Sequence, residues 1–407
     1  MTGEDKIEIR IARTVADVEA LREVWTQWPG QCESDIDFYL MVLAAYPRAP
    51  RPYVMVLYRN GSPDAILIAR LEKKELNFGV GYLRALHAQS VCLTAPHDAL
   101  RGNATPENCQ LLIREIMNCL RRGEADVAAL EFIPLTSPLY DFALHLPNVL
   151  CRDTFPAAEE YFTLTVPDSI EGLYQRLSVA RRKGLKRKAK GLREYAAGSV
   201  KIVCYRHESE LEAVFRDAEK IACRTYQRGL GAGFVDNREV RMRLSLGARK
   251  GWLRAYFLYV RGEPAAFWIG FLYDATFGME YTGYDQKFQK FSPGMALLMH
   301  IIETFCDGDT GDIVKRVDFG FGHAQYKAAI CDKTRLQSRV YIFAPTLTGA
   351  ALKLMRTSSR ILAEAAKNLL LTTGLLPKVK KIWRDRLAKR AAVFSEHQRS
   401  CSDGARV

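Results

Sequence analysis

Between Asp318 and Lys327 the sequence reads Asp-Phe-Gly-Phe-Gly-His-Ala-Gln-Tyr-Lys, ten residues that hold a carboxylate, an imidazole, a phenol and an ammonium. Such a set can take up a proton, return one, and stabilise a developing negative charge. Asp318 or His323 would act as base, with Glu280 upstream as a third choice. Tyr326 would hand a proton to a leaving group, and the Lys327 ammonium would face an oxyanion. Gly320 and Gly322 permit tight backbone geometry where the apolar run Ile313–Val317 ends. A structural reading stands beside the chemical one: Asp318 as the cap of the glycine turn, His323 as a solvated loop residue.

A second signal precedes it. Ser292-Pro-Gly-Met295 leads into Ala296, Leu297, Leu298, Ile301 and Ile302, an apolar face at helical spacing. Proline in a first turn needs no amide partner, and glycine lets a phosphate approach the free N–H groups at the positive helix end. Ser292, Gly294 and Met295 are therefore candidate contacts for a phosphorylated cofactor, or simply a capped helix start. The third signal is charge. From Arg176 to Arg193 there are nine basic residues and no acid. Arg182, Lys186 and Lys190 fall at i, i+4 and i+8, on one helical face. Without acidic partners at that spacing the segment repels itself, which a bound anion would relieve; a solvated helix face is the alternative.

The elements that must position these residues belong to a 407-residue chain, 48% hydrophobic and 26% charged. That usage excludes a disordered or low-complexity protein and allows two or three domains. The net charge of +13 is unevenly placed, for Pro345–Val407 alone carries thirteen basic and four acidic residues. Ten cysteines show no C-x-x-C spacing, so neither a local zinc site nor a disulfide framework is expected, and no metal is called for. The first residues lack a basic and apolar leader, and no run suits a membrane span, so a cytoplasmic protein is expected.

Self-comparison organises the chain. Arg13–Leu21 is echoed by Arg206–Val214, Leu57–Ala65 by Leu258–Ala266, and Thr105-Pro-Glu-Asn108 by Ser292-Pro-Gly-Met295. The offsets are 193, 201 and 187, so order is kept while insertions differ. Each unit reads strand–helix–hairpin–strand–helix–strand, a mixed α/β sheet. Expected domains are 1–165, 166–345 with a basic helix over 173–193, and a basic helical tail over 346–407.

This order and these motifs resemble the Gcn5-related N-acetyltransferase (GNAT) superfamily over roughly residues 5–345. The tandem branch is the most similar, with its CelD-type cellulose-biosynthesis proteins and, more distantly, Fem-type aminoacyltransferases. Asp318–Lys327 is similar to the D-F-G-x-G-x-x-x-Y-K signature of the CelD-type group, and Ser178–Lys190 to its basic helix. The resemblance implies an α/β fold of two tandem GNAT-like mixed-sheet domains, the first degenerate because it has Glu131-Phe-Ile-Pro and no Tyr-Lys. It also implies transfer of an acyl group from acetyl-CoA or a longer acyl-CoA to an amine or hydroxyl, with a saccharide or small-molecule acceptor. Lys327 would stabilise the oxyanion. Glu107, standing where Gly294 does, would repel a pyrophosphate from the first unit. Two alternatives remain: a Fem-type enzyme using aminoacyl-tRNA, and a non-enzymatic protein binding an anionic membrane or nucleic acid. The absence of aromatic residues between Arg176 and Arg193 counts against nucleic acid. In the tail, Leu369, Leu370, Leu371, Leu375 and Leu376 adjoin Lys378, Lys380, Lys381 and Arg384. That segment either packs on the body or lies on the inner face of an anionic membrane.

Overall fold

The computed structural model describes residues 6–45, 50–80, 83–223, 225, 228, 233–308, 311–322 and 324–373. Among them, contacts define two compact units, one running to Tyr161 and resuming at Arg335–Thr373, the other Phe162–Thr334. The first boundary lies four residues before the expected one. The second falls at 334 instead of 345, for a reason periodicity does not carry. Strand Lys333–Phe343 pairs antiparallel with Val127–Pro134, in register from Gln337↔Pro134 to Phe343↔Val127.

In the first unit a four-stranded antiparallel sheet orders Ile7–Ala12, Val54–Arg59, Ser62–Leu67 and Leu100–Gly102. Beside it in the chain, β1 (Leu83–Ala95) and β2 (Val127–Pro134) run parallel. Helix α1 (Pro106–Arg121) connects them, as a parallel pair requires a crossover. The fully buried Trp25, Tyr39 and Tyr53 anchor this unit's core.

The second unit repeats the plan. After the basic helix α2 (Val179–Tyr195) come β3 (Val200–Tyr205), helix α3 (Leu211–Ala222), β4 (Leu253–Val260), β5 (Glu263–Tyr273) and β6 (Thr276–Tyr284). Strands β3 to β6 are antiparallel neighbours. Helix α4 (Pro293–Asp307) then leads to β7 (Arg316–Phe321), which lies parallel to β6 and is followed by the short helix α5 (Gln325–Ile330). The apolar face read from the sequence is the buried face of α4: Leu297, Leu298, Ile301 and Ile302 are wholly enclosed. Each such side chain contributes about 1.5–3 kcal/mol by leaving water.

The duplication extends to fine backbone detail. Both hairpins turn through two residues of positive φ, Asn60-Gly61 (53° and 82°) and Arg261-Gly262 (52° and 79°). That twist suits a two-residue hairpin loop. Both then shift register at the same place, between Leu57 and Tyr58 and between Leu258 and Tyr259. Two bulges in identical positions are hard to obtain from unrelated domains.

Two local expectations need correction. The segment 173–193 is two helices, Ile170–Arg176 and α2, broken at the extended Leu177, with the Ser178 hydroxyl accepting from the Arg181 N–H. The glycines within α2 do not break it, because Leu185 and Leu192 pack into the core and Gly191 lies under the Phe291 ring. The tail does not stand apart either. Helix α6 (Leu347–Thr372) buries Leu352 and packs with Met355 against Leu76, Phe78, Tyr341 and Phe343 of the first unit. Leu375, Leu376, Lys378, Lys380, Lys381 and Arg384 lie outside the described residues.

Two glycines make the packing testable. A Cβ on Gly270 would sit 2.1 Å from the Gly278 carbonyl oxygen, whereas one on Gly184 meets nothing within 4 Å. Gly270→Ala should lose about 2–3 kcal/mol in urea unfolding through overpacking. Gly184→Ala should gain roughly 0.5–1 kcal/mol through helix propensity.

Candidate active site

The site begins where two strands separate. Strands β6 and β7 are in register only at Thr276↔Arg316, Phe277↔Val317 and Gly278↔Asp318. Phe277 and Val317 are wholly buried and hold that short pairing in the core. Beyond it β6 is bulged: Met279 faces Gly270 and Tyr281 faces Ile269, which leaves Glu280 as the extra residue. The bulge turns β6 away while β7 runs on to Phe321, and a parting parallel pair opens at this point.

The end of β7 is held by its own signature. The Asp318 carboxylate accepts the Gly320 N–H at 2.8 Å, and Gly320 and Gly322 take φ of 63° and 90°, a turn that L side chains resist. The buried Lys327 donates to the Phe319 and Phe321 carbonyls, both at 2.7 Å. Its ammonium also stands 5.9 Å from the centre of the Phe162 ring. Burial draws the Lys327 pKa below the ordinary lysine value, against the opposing pull of Cys331 and Asp318. Desolvation of the same corner pushes the Cys331 thiol up to about 12, which leaves it a protonated, weak nucleophile at neutral pH.

Tyr326 connects this turn to the helix start. Its ring packs edgewise on Phe319 and Trp268, with centroids 6.2 and 6.1 Å away. Trp268 in turn donates its indole N–H to the Gly294 carbonyl at 3.0 Å. Trp268 was not singled out from the sequence, where Phe-Trp-Ile within a strand reads as core.

At the start of α4, Ser292 adopts a left-handed conformation (φ 52°, ψ 58°) and its side chain does not cap the helix. Its hydroxyl accepts from Lys188 at 2.9 Å, while Met295 and Ala296 donate their amides to the Ser292 carbonyl. A Cβ on Gly294 would touch only the Tyr284 ring, at 3.7 Å, so the glycine is not demanded by packing. The Lys188 ammonium thus stands at the positive end of a 15-residue helix. Two like charges at one point favour an anion there.

The basic helix meets the site through different residues from those that charge spacing selects. Arg181 donates to the Gln325 carbonyl at 3.1 Å and Lys188 reaches Ser292, both on the face that carries Leu185 and Leu192. Arg182 is half-buried, Lys186 stands 5.2 Å over the Tyr174 ring, and the exposed Lys190 pairs with Glu194 at 3.7 Å. The phase of the apolar residues was the available signal. Glu280 is committed elsewhere, to Arg243 at 2.9 Å. His323 lies outside the described residues. No group of three His, Cys, Asp or Glu side chains among the described residues is arranged to hold a metal.

The first unit contains the corresponding opening in another chemical state. Strands β1 and β2 part after Ala95↔Leu130, beside a cavity of about 160 Å³ lined by Pro96, Asp98, Phe132 and Ser137 among others. There Thr105 caps α1 by accepting the Asn108 N–H, and Glu107 pairs with Arg59 at 2.9 Å. Glu131 is held by Arg339 and by Lys74. A capped helix start with a carboxylate beside it does not invite a phosphate.

Residues 180–328 match the family model of an acetyltransferase (GNAT) domain. That stretch lies within the second unit. Among solved structures, FemX aligns with a TM-score of 0.54 at 8% identity, covering 86% of this chain and 100% of FemX. A conserved protein of unknown function from Bacteroides thetaiotaomicron aligns at 0.50 and 10% identity, over 83% of this chain and 100% of that one. A tandem GNAT protein from the clavulanic acid biosynthesis pathway aligns at 0.45 and 13% identity, over 84% and 99%. Identities this low speak to fold, and the fold is a tandem of GNAT-like mixed sheets with a helical C-terminal region. No curated protein matches the chain.

Lys327 makes the first test of the site. Replacing it with methionine strands the Phe319 and Phe321 carbonyls, and Lys327→Met should lose roughly 2–4 kcal/mol in chemical denaturation. Lys190→Met, which breaks only an exposed pair, should change stability by less than about 0.5 kcal/mol.

Proposed function

We propose that the second unit transfers an acyl group from acetyl-CoA or a longer acyl-CoA to an amine or hydroxyl acceptor. The observation that carries this reading is the conjunction of parted strands with an uncapped helix start. The opening between β6 and β7 would take the acyl-pantetheine arm, and Gly294, Met295 and Lys188 would face the pyrophosphate. In the reaction the acceptor's lone pair attacks the thioester carbonyl carbon and its proton leaves to a base. The carbonyl oxygen becomes an oxyanion, whose collapse breaks the C–S bond and releases the thiolate, which is then protonated. Asp318, at the point where the strands part, would act as the base. Tyr326 would supply the thiolate proton. Lys327 has one N–H left after its two carbonyl bonds, and that donor would face the oxyanion while the other two keep β7 in position. The high pKa of Cys331 argues against a cysteinyl acyl intermediate and for direct attack.

The acceptor class is part of the same proposal. The motif resemblance supports a saccharide or cell-envelope acceptor and a place near the CelD-type branch, and the cysteine usage supports a cytoplasmic setting. A second reading has its own observation: Lys183, Lys186, Arg187, Lys190 and Arg193 are all exposed on α2. One pyrophosphate needs fewer cations, whereas an aminoacyl-tRNA donor would engage them all.

Gly294→Glu separates these donors. The added Cβ meets the Tyr284 ring at an ordinary 3.7 Å, and the substitution copies the carboxylate of Glu107, so it should abolish CoA binding in calorimetry while the thermal transition is kept. Equal CoA affinity in wild type and variant would remove pyrophosphate binding from α4. A thermal-shift response to aminoacyl-tRNA and none to CoA, acetyl-CoA or long-chain acyl-CoA would favour the second reading. Once an acceptor is known, Lys327→Ala should lower kcat about 10²–10³-fold with acyl-CoA affinity nearly unchanged, since the interaction belongs to the transition state. A wild-type kcat would end the proposed role.

A further inference from the structure

Helix α2 ends at Tyr195 on an aromatic and cationic patch that the transfer step does not use. Tyr195 is 36% exposed, and its ring packs against Phe291 with centroids 5.1 Å apart. Phe291 in turn lies over Gly191 and immediately precedes Ser292. Two cations rest on these rings. The exposed Lys290 ammonium is 4.8 Å from the centre of Phe291 and 5.4 Å from that of Tyr195. The exposed Arg261 guanidinium, in the turn between β4 and β5, is 4.8 Å from the Tyr195 ring and donates to the Tyr195 carbonyl.

The carboxylates at this corner are already taken. Glu194 pairs with Lys190 and Glu263 with Lys287. Among the described residues, no carboxylate is paired with Lys188, Lys290 or Arg261. These three cations stand around a helix start that is itself positive, and a bound anion would relieve their repulsion. The first unit is built differently. Its matching turn residue is Asn60, and Arg59 beside it is held by Asp64 at 3.3 Å and Glu107 at 2.9 Å.

The rings narrow the anion to a nucleotide. Lys188 at Ser292 and Tyr195 are seven residues apart on α2, about 10 Å along its axis, which is the reach of one nucleotide. A bare inorganic anion would need no aromatic surface, whereas a purine base lies well against exposed rings. A long side chain resting on an exposed ring is free to exchange that weak contact for a charge-assisted bond to phosphate. Lys290 and Arg261 would then meet the phosphate and leave the Tyr195 ring to the base.

We propose that Tyr195, Phe291, Lys290 and Arg261 recognise the 3′-phosphoadenosine end of CoA and set a preference for donors that carry the 3′-phosphate. The inference rests on the acyl-CoA reading above. The experiment is calorimetry of the full chain with CoA and with dephospho-CoA, which differ only in that phosphate. The paired variant is Lys290→Gln with Arg261→Asn. Both positions are exposed, and asparagine suits the left-handed backbone at 261, as Asn60 does in the first unit. Wild type should bind CoA about tenfold tighter than dephospho-CoA. The variant should bind the two alike, with its dephospho-CoA affinity and its thermal transition nearly unchanged. Equal binding of both by wild type, or a variant that keeps the preference for CoA, would overturn this assignment and leave the acyl-CoA reading standing. No binding of either by wild type would overturn both. Binding of aminoacyl-tRNA without CoA binding, weakened in the variant, would give the patch to nucleic acid, and would overturn the proposal too.

Discussion

A strand that leaves its neighbour inside a protein exposes carbonyls that water no longer reaches, and the second unit answers that constraint with one lysine. Strand β7 has three residues of parallel pairing with β6 and then runs past the end of that pairing. Its Phe319 and Phe321 carbonyls accept from the Lys327 ammonium. The glycine turn fixed by Asp318 lets the chain come back so that α5 can present that lysine. Without the lysine those two carbonyls would lose a donor, which is costly in a buried setting. Strand separation, turn chemistry and the lysine are therefore one device.

The two units show how a common frame is turned toward different ends. Both retain the same hairpin turn, the same bulge after it, and the same helix leading to a parallel strand. They diverge at the helix start. Thr105 closes α1 with its own side chain and Glu107 ties down Arg59, whereas Ser292 leaves α4 uncapped and receives Lys188. A few side chains thus change the polarity of one frame element from self-satisfied to anion-seeking. The backbone need not change for the chemistry to do so.

Much of this was open to reading in the primary structure. Thr105-Pro and Ser292-Pro mark helix starts because proline needs no amide partner there, and the echoes of Leu57 and Leu258 mark hairpins through their glycines. The site motif was visible for the same reason, since Gly320 and Gly322 permit only a turn. Hidden features were those set by distant pairing or by helix phase. Nothing local in Lys333–Phe343 says that its partner is Val127–Pro134, so the second boundary was placed after the strand. Arg182, Lys186 and Lys190 were grouped by charge, yet Leu185 and Leu192 orient α2 and turn Arg181 and Lys188 to the site. Trp268 was invisible because a tryptophan in a strand is usually packing, and here its N–H also serves the Gly294 carbonyl.

The order in which the units can be completed follows from the path of the chain. The described part of the second unit is one uninterrupted stretch, Phe162–Thr334, while the first is closed by Arg335–Thr373. During synthesis, Val127–Pro134 is made some two hundred residues before the strand that pairs with it. The first unit therefore waits, with one edge of β2 unpaired, while the catalytic candidate is still being translated. The second unit has all its strands first and is free to fold as the later residues emerge. Among the described residues, the unit begun first on the ribosome is the one finished last, and its open strand edge is the place where a nascent chain most needs shielding from its neighbours.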